Sequence, residues 1–599
     1  MLSLFTRLFT RAVQALDQSV GWYRVLLPIA LVMLIGLRII LRQRNLSSTY
    51  TVRSPYPPAP PPEGGSRHYL TARTAEGNFN DLDIPTMGSA NTRFGRNIPL
   101  QYAYPDNDAE ILRPNPRTVS LELLARDTFK PVPFLNLLAA AWIQFMIHDW
   151  FSHGKGQKEN PWQVPLSDDD PWPDHPMTIL RTPADSSHTP GSNDLPPTFI
   201  NTVTHWWDGS QLYGSDKKTQ DKVRSHKDGK LTIGTDGLLP AGEDGIEITA
   251  VNGNWWIGLS LMHTLFTLEH NAICDRLRSE YPSWSDDDLF DRARLVNAAL
   301  MAKIHTVDWT PSILNNPTLD IGMHANWWGL AGEQIYKLLG RVSKSEVISG
   351  IPGSEKDHFG VPYSLTEEFV SVYRMHPLLP DDFSFRSAED DRVLQEPTLT
   401  EVADRHAREL LQQMSMLDAF YSFGTMHPGL ITLHNYPRGL QYRKEPNGDL
   451  HDIATTEILR DRERGVPRYN EFRKLMHRPP VASFEELTDN KEWAEQLRRI
   501  YDNDINKVDV MVGMYAETPP PGFGFSDTAF RIFILMASRR LNSDRFFTTD
   551  FTPTVYTPAG FNWIINNNMS TVLLRHFPAL AASLRDVKNA FAPWPTAKA

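Results

Sequence analysis

The sequence predicts a mainly α-helical protein with long connections, and three observations carry that reading. Apolar residues recur at helical spacing over about 132–152, 256–281, 286–304, 364–376, 399–424 and 525–542. Strand-like alternation is rare. Proline accounts for 46 of 599 residues, and the polar, proline-rich stretch 154–200 reads as loop. The chain is long enough for a large core. With 41% hydrophobic and 22% charged residues, its composition excludes a largely disordered or multi-span membrane protein.

There are 60 Lys and Arg against 71 Asp and Glu, a net charge of −11. A nucleic-acid binder would carry a basic footprint instead. The single cysteine, Cys274, excludes an internal disulfide framework and any cysteine-based zinc or iron–sulfur site, and fits a reducing compartment facing the cytosol. Sixteen Trp, 29 Phe and 18 Tyr suit an apolar pocket.

Three parts follow in order. Residues 1–50 carry a mildly amphipathic stretch, Leu2–Val20, with Arg7 and Arg11. An uncharged run from Val25 to Leu37 then contains Pro28 and is followed by Arg38, Arg42 and Arg44. A membrane span needs about 20 apolar residues. The run is short for that, so it reads as a monotopic, membrane-associating helix pair with arginines at headgroup level, in preference to a span or a buried helix of the main domain. Residues 51–66 contain Ser54-Pro-Tyr-Pro-Pro-Ala-Pro-Pro-Pro-Glu-Gly-Gly65, a stiff linker ending in a flexible joint. Residues 67–599 have no internal repeat and no second break in composition. They lack GxGxxG, P-loop, GxSxG and HExxH motifs. Asp502-Asn-Asp-Ile-Asn506 starts like an EF-hand loop but lacks its later glycine and glutamate.

Three constellations carry chemistry. In FLNLLAAAWIQFMIHDW, residues 134–150, Gln144 and His148 are four apart and share a helix face, while Asp149 points about 100° away. Thr204-His-Trp-Trp-Asp-Gly-Ser210 places Thr204, Trp206, Asp208 and Ser210 at alternate positions. Two hydroxyls, a carboxylate and a backbone carbonyl suit a hard cation such as Ca²⁺, with Asp149 as a second carboxylate; a plain polar turn is the alternative. Ser364-Leu-Thr-Glu367 reads as a capping box opening a helix that Pro377 stops, with Tyr373 and His376 three apart on one face. A histidine there suits an axial haem ligand, and a tyrosine one turn earlier would lie close to the haem; a core tyrosine above a capping histidine is the bland alternative.

Gln144-x-x-x-His148-Asp149, Thr204-x-Trp-x-Asp208-x-Ser210 with Tyr213-Gly-Ser, His263-Thr-Leu-Phe with Glu269-His-Asn, and Tyr373-Arg-Met-His376-Pro, in that order, resemble the cyclooxygenase–peroxidase superfamily of haem proteins. Within it, AKIHTVDWT, GVPYSLTEEF, DRERGVPRYNEFR and MASRRLNSDRFFTTDF are similar to segments of the fatty acid α-dioxygenases. The likeness runs from about residue 70 to 580. It implies an animal haem-peroxidase, cyclooxygenase-like helical catalytic domain.

The resemblance also implies roles. His148 is the distal histidine with Gln144 beside it, His376 the proximal iron ligand, and Tyr373 the radical carrier. Asp149, Thr204, the Trp206 carbonyl, Asp208 and Ser210 hold Ca²⁺. His305, Thr310 and Arg540 bind the substrate carboxylate, with Arg539 and Arg545 the competing arginines. Covalent-haem peroxidases carry an acid before the distal histidine, where this chain has Ile147, and Arg-x-x-Glu where it has Asn252-Gly-Asn-Trp255. The expected haem b is therefore non-covalent, without a distal arginine. Relative to the plant α-dioxygenases, residues 377–435 look shortened or altered, as does the N-terminus. The expected reaction is O₂ addition at C2 of a long-chain fatty acid, by a monomer or weak oligomer attached to a membrane. The rivals are a mid-chain, linoleate-type dioxygenase, a haem peroxidase with a small reductant, and a decayed haem-binding protein.

Overall fold

The computed structural model describes residues 4–52, 54–62, 67–187, 195–251 and 253–597. The end of the proline-rich segment, residues 63–65, and Asn252 lie outside the described residues. The fold is mainly α, and the described strands form only two-stranded sheets.

The first two helices, α1 (Leu4–Ser19) and α2 (Leu27–Arg44), form a hairpin. Gly36 of α2 meets Val13 so closely that an added Cβ would stand 2.7 Å from a Val13 methyl, so only glycine permits this crossing. One side of α2, including Met33, Leu34, Leu37, Ile40 and Leu41, is buried in the main core. Further ties are polar. Asp17 pairs with Arg531 at 2.9 Å, and the Trp22 indole N–H donates to Asp527 at 2.9 Å. Leu26, Leu27, Ile29 and Val32 stay exposed. Among the described residues, no helix is long and apolar enough to cross a membrane. Part of the proline-rich stretch is also docked: Tyr56 stacks on Tyr50, and the Pro57 carbonyl accepts a hydrogen bond from Thr86.

Next comes α3 (Leu138–Trp150), which starts several residues after the periodic stretch does because prolines 131 and 133 precede it. The expected loop over 154–200 contains a hairpin, β1 (Gln157–Val164) against β2 (Met177–Arg181), with Trp162 opposite Ile179. Period-two burial of Trp162, Val164, Met177 and Ile179 builds a satellite core there. The prolines around it hid that pattern.

Helices α4 (Ile257–Glu280) and α5 (Asp286–Ile304) pack together, and α4 packs on α3. Ser285 and Asp288 make the reciprocal cap of α5. At its end, α5 widens into a single π turn, His305–Trp309. Then come α6 (Pro317–Trp328), α7 (Glu333–Leu339) and α8 (Glu367–Val372). The stretch expected over 364–376 is shorter than predicted. Thr366, not Ser364, caps it by accepting from the Phe369 N–H, and Tyr373 already ends it. Tyr373 and His376 therefore do not share a helix face; a turn separates them, and His376 opens its own short 3₁₀ segment with Pro377. The stretch 399–424 splits into α9 (Arg405–Gln413) and α10 (Met416–Thr425), because Ser415 caps a new start. Last for the site are α11 (Ile453–Glu463) and α12 (Asp527–Ser543).

Candidate active site

Helix α3 organises the site through two opposite faces. Ala140, Ile143, Gln144, Ile147 and His148 line a cavity of about 370 Å³. Trp142 and Asp149, seven apart, share the other face and point away from it. Tyr373, Arg374 and His376 reach the same cavity from the turn after α8, and Glu457, Arg460 and Arg464 reach it from α11 and its end.

On the α3 side, burial pulls the His148 imidazole down to about 4, so it is neutral at neutral pH, and its Nδ1 has no hydrogen-bond partner. The Gln144 amide oxygen accepts from the Trp256 indole N–H at 2.5 Å. His263 stands behind, 6.5 Å from His148 between ring centres. On the other side, His376 Nδ1 lies 3.2 Å from a Glu457 carboxylate oxygen but is not aligned for a hydrogen bond. The second Glu457 oxygen accepts from the Tyr436 hydroxyl at 2.9 Å. Burial works to raise the Glu457 carboxyl; His376 and Arg374 outweigh it and hold the group below its ordinary range. Arg374 in turn pairs with Asp461 at 2.5 Å.

The cavity suits a haem. Its walls are apolar (Ala140, Ile143, Ile147, Val370, Leu378 and Leu379), with one histidine from α3 and a second from the turn after α8. Arg460 and Arg464, four apart, supply cations of the kind haem propionates need.

Tyr373 is buried, and it lines the cavity. Phe533 stacks on it at 4.5 Å, Phe369 tilts against it at 4.4 Å, and Trp150 meets it edge-on at 5.0 Å. Burial pushes its phenol pKa up. Trp150 also faces the Arg540 guanidinium at 4.1 Å, with Trp207 at 4.4 Å. Arg540 is buried, and both its Nε and its Nη2 lack partners. Its competitors are more committed. Arg539 donates from Nη2 to the Val361 and Pro362 carbonyls, while Arg545 bonds Phe79, Leu70, Tyr69 and Asp550.

His305 shares the Trp150 and Trp207 walls and stacks on Trp309 at 4.6 Å. Burial, with Arg540 adding to it, drives its imidazole well below the ordinary value. Thr310 is buried beside it, but its hydroxyl donates to the His305 carbonyl at 2.7 Å. Its proton therefore points at backbone in this conformation.

The alternating oxygens also converge. Asp149 Oδ1 accepts from the Ser210 N–H at 2.5 Å, and the Asp149 carbonyl accepts from the Ser210 hydroxyl at 2.9 Å. Asp208 accepts from Thr204 at 3.0 Å and from Arg294 at 3.1 Å. Trp206 is fully buried between them in sequence. Burial, then repulsion from Asp208, pushes the Asp149 carboxyl up, and its Oδ2 is buried without a partner. Among the described residues no group of three or more His, Cys, Asp or Glu could hold a metal; this set has two carboxylates, with hydroxyls and a carbonyl.

These features define a class. A model of the animal haem peroxidase family matches residues 72–589, and the chain belongs to that family. Within it, the chain belongs to the α-dioxygenases. It is 39% identical to alpha-dioxygenase 2 of Arabidopsis thaliana, over 99% of this chain and 94% of that protein. It is 38% identical to the alpha-dioxygenase PIOX of Oryza sativa subsp. japonica, over 99% and 96%. The crystal structure of a tyrosine-to-phenylalanine variant of Oryza sativa fatty acid alpha-dioxygenase with palmitic acid matches with a TM-score of 0.91 at 35% identity, covering 100% of this chain and 98% of that one. The expected helical haem-peroxidase fold is thus borne out, and with it a haem-dependent oxidoreductase.

Sequence reasoning missed Glu457, Arg460, Arg464 and the wall residues Trp142 and Trp150. An Arg-x-x-x-Arg pair at a helix end was a readable signal for the two arginines. His153 also lines the cavity and bonds Glu367 at 3.1 Å.

Proposed function

We propose that this protein is a fatty acid α-dioxygenase that converts a long-chain fatty acid and O₂ into the 2-hydroperoxy fatty acid. One observation carries the reading. Tyr373 lies between the haem-sized cavity and an aromatic-walled arginine with unpartnered donors, and Trp150 touches both.

Haem b, which His376 would hold without a covalent tie and Arg460 and Arg464 would pair through its propionates, would supply the one-electron oxidant that takes an electron from Tyr373 as its phenolic proton leaves. Neutral His148 takes the proton of the activating peroxide, with Gln144 beside it. Arg540 offers two N–H groups to a carboxylate, and His305 a further donor. Burying that carboxylate is costly unless it is paired, so this cluster holds the head group deep in the protein. Thr310 shapes the pocket and donates only after releasing the His305 carbonyl. The clamp brings C2 to Tyr373. The tyrosyl oxygen takes one hydrogen atom from C2, breaking C–H and forming O–H. O₂ adds to the C2 radical. The resulting peroxyl takes the hydrogen back from Tyr373, which closes the cycle.

Oxygen consumption by haem-loaded enzyme with palmitic acid, with mass spectrometry of the product, tests this. A 2-hydroperoxide, or the aldehyde one carbon shorter, is expected. Silence with palmitate and mid-chain oxygenation of linoleate would replace the reading with a mid-chain dioxygenase.

Asp149, Thr204, the Trp206 carbonyl, Asp208 and Ser210 hold Ca²⁺ in this proposal. A divalent cation relieves the repulsion between two buried carboxylates and gives the unpartnered Asp149 oxygen a ligand role. The N-terminal hairpin attaches to a membrane surface, with the catalytic part facing the cytosol. Exposed Leu26 just before α2 and Ile29 and Val32 on it, with Ile335, Leu338 and Leu339 on α7, support it. Co-sedimentation with phosphatidylcholine–phosphatidylserine vesicles is expected for the native chain and lost in L26E/V32E.

A further inference from the structure

Trp142 has no part in the mechanism above, yet among the described residues it makes the one hydrogen bond to the His305 imidazole. Its indole N–H donates to His305 Nδ1 at 3.2 Å, and both residues are buried. An indole nitrogen is a donor and never an acceptor. His305 Nδ1 must therefore be the unprotonated nitrogen. The ring is neutral, since burial and Arg540 both oppose its charging, so its one proton sits on Nε2.

We propose that Trp142 is a positioning residue that locks His305 in the Nε2–H tautomer, so that the neutral ring always presents a donor, never a lone pair, to the fatty acid carboxylate. The inference rests on the carboxylate clamp proposed above. A neutral histidine in the other tautomer would aim a lone pair at a carboxylate oxygen and repel it. Ring rotation offers no escape: the imidazole is stacked on Trp309 at 19° and flanked edge-on by Trp150 and Trp207 at 83° and 77°. Tautomer choice is the one freedom left to it, and the Trp142 N–H removes that freedom before substrate arrives. The donor set is then complete without any ionisation of histidine. Arg540 brings the charge, and His305 brings a fixed dipole. The device costs α3 nothing at the haem, because Trp142 lies on the face opposite Gln144 and His148.

The test is a double-substitution cycle on haem-loaded enzyme, reading palmitate Kd under anaerobic conditions and the KM–kcat split in air. Trp142→Phe is expected to raise Kd and KM about tenfold, the size of one hydrogen bond to a charged acceptor, while kcat moves less than about twofold. Incorporating 3-benzothienylalanine at position 142 keeps the ring shape without the N–H, and should do the same if the phenylalanine variant folds poorly. His305→Gln places an amide N–H₂ near the Nε2 position with no tautomer to choose. In that background the Trp142 change should add nothing further. Full additivity of the two changes would mean that Trp142 only packs, and would overturn the proposal. So would a benzothienyl variant with native Kd while His305→Gln binds palmitate weakly. If His305→Gln and Arg540→Gln both bind palmitate normally, the clamp itself has failed, and that result is distinct from failure of the tautomer lock.

Discussion

The two faces of α3 solve different problems. The cavity face leaves its functional atoms open: His148 Nδ1 is unpartnered, and only the Gln144 oxygen is taken. The opposite face is mostly committed before any ligand arrives, with Trp142 bonded to His305 and Asp149 Oδ1 to Ser210, while Asp149 Oδ2 waits unpartnered. A face that receives a large, rigid cofactor needs room and neutral groups. A face that must aim a flexible chain at one tyrosine needs its donors fixed in advance. Trp150 sits where the two sides meet, edge-on to Tyr373 and facing Arg540. The proposed radical site and the proposed clamp thus share one side chain.

The sharpest way to break this division is at Tyr373. Tyr373→Phe should lower O₂ uptake with palmitate by at least about 10³-fold, as expected when the reacting group itself is removed. It should leave the haem absorption spectrum and turnover of a small reductant with peroxide intact. Loss of both activities together would mean that the two sides are not separable.

On the closed side, Arg540→Gln removes the only charge in the clamp. Truncating one partner of a buried charge pair costs about 3 kcal/mol, so KM for palmitate should rise roughly 100-fold. Arg539→Gln should not reproduce this, because Arg539 already donates to the Val361 and Pro362 carbonyls. Steady-state kinetics on the two variants decide which arginine holds the head group.

How much of this was legible in the sequence differs between the two sides in the same way. Helix periodicity placed α3, α4, α5 and α12, because long amphipathic runs need no tertiary help. Spacing alone left His148, His376 and Tyr373 as ordinary core residues; the ordered series of motifs singled them out. It failed where the chain turns. The Tyr373–His376 pair sits across a helix end, and the Thr366 cap that starts the helix late looks in sequence like a continuation of the Ser364 signal. It failed again where neighbours are distant in the chain. Glu457 reaches His376 across 81 positions, and Trp142 reaches His305 across 163. No local pattern encodes such contacts. The hairpin at 157–181 was lost because its two-residue period is interrupted by prolines and a shift in register.

The Ca²⁺ proposal sharpens the comparison from a third direction, since Asp149 belongs to the closed face. Chelation should lower the thermal midpoint, by an amount corresponding to about 3 kcal/mol when free Ca²⁺ was near one hundred times its Kd. Asp208→Asn should lower it similarly and remove the response to chelator. Calorimetry with and without chelator checks both. If only the native protein at low pH responds, the buried carboxylates are held by protons rather than by a cation.

The smallest effect per residue is in acid, and cavity and core share it. His148 and His153 line the cavity; His205 and His270 lie in the surrounding structure. Burial holds all four near a pKa of about 4, against 6.5 for a free histidine. Between those values the unfolded chain binds protons that the folded chain refuses. Each histidine therefore contributes stability that is complete above pH 6.5 and is lost as pH falls towards 4, about 1 kcal/mol per group by pH 5.5. Thermal midpoints measured from pH 8 to 5 should fall steadily in this window. Haem should leave this slope in place, because a filled cavity can only deepen the folded chain's refusal of protons. His153→Gln, His205→Gln and His270→Gln should each flatten it, and by the same amount with and without haem. A slope untouched by His153→Gln would mean that His153 takes up protons in the folded chain as readily as in the unfolded one.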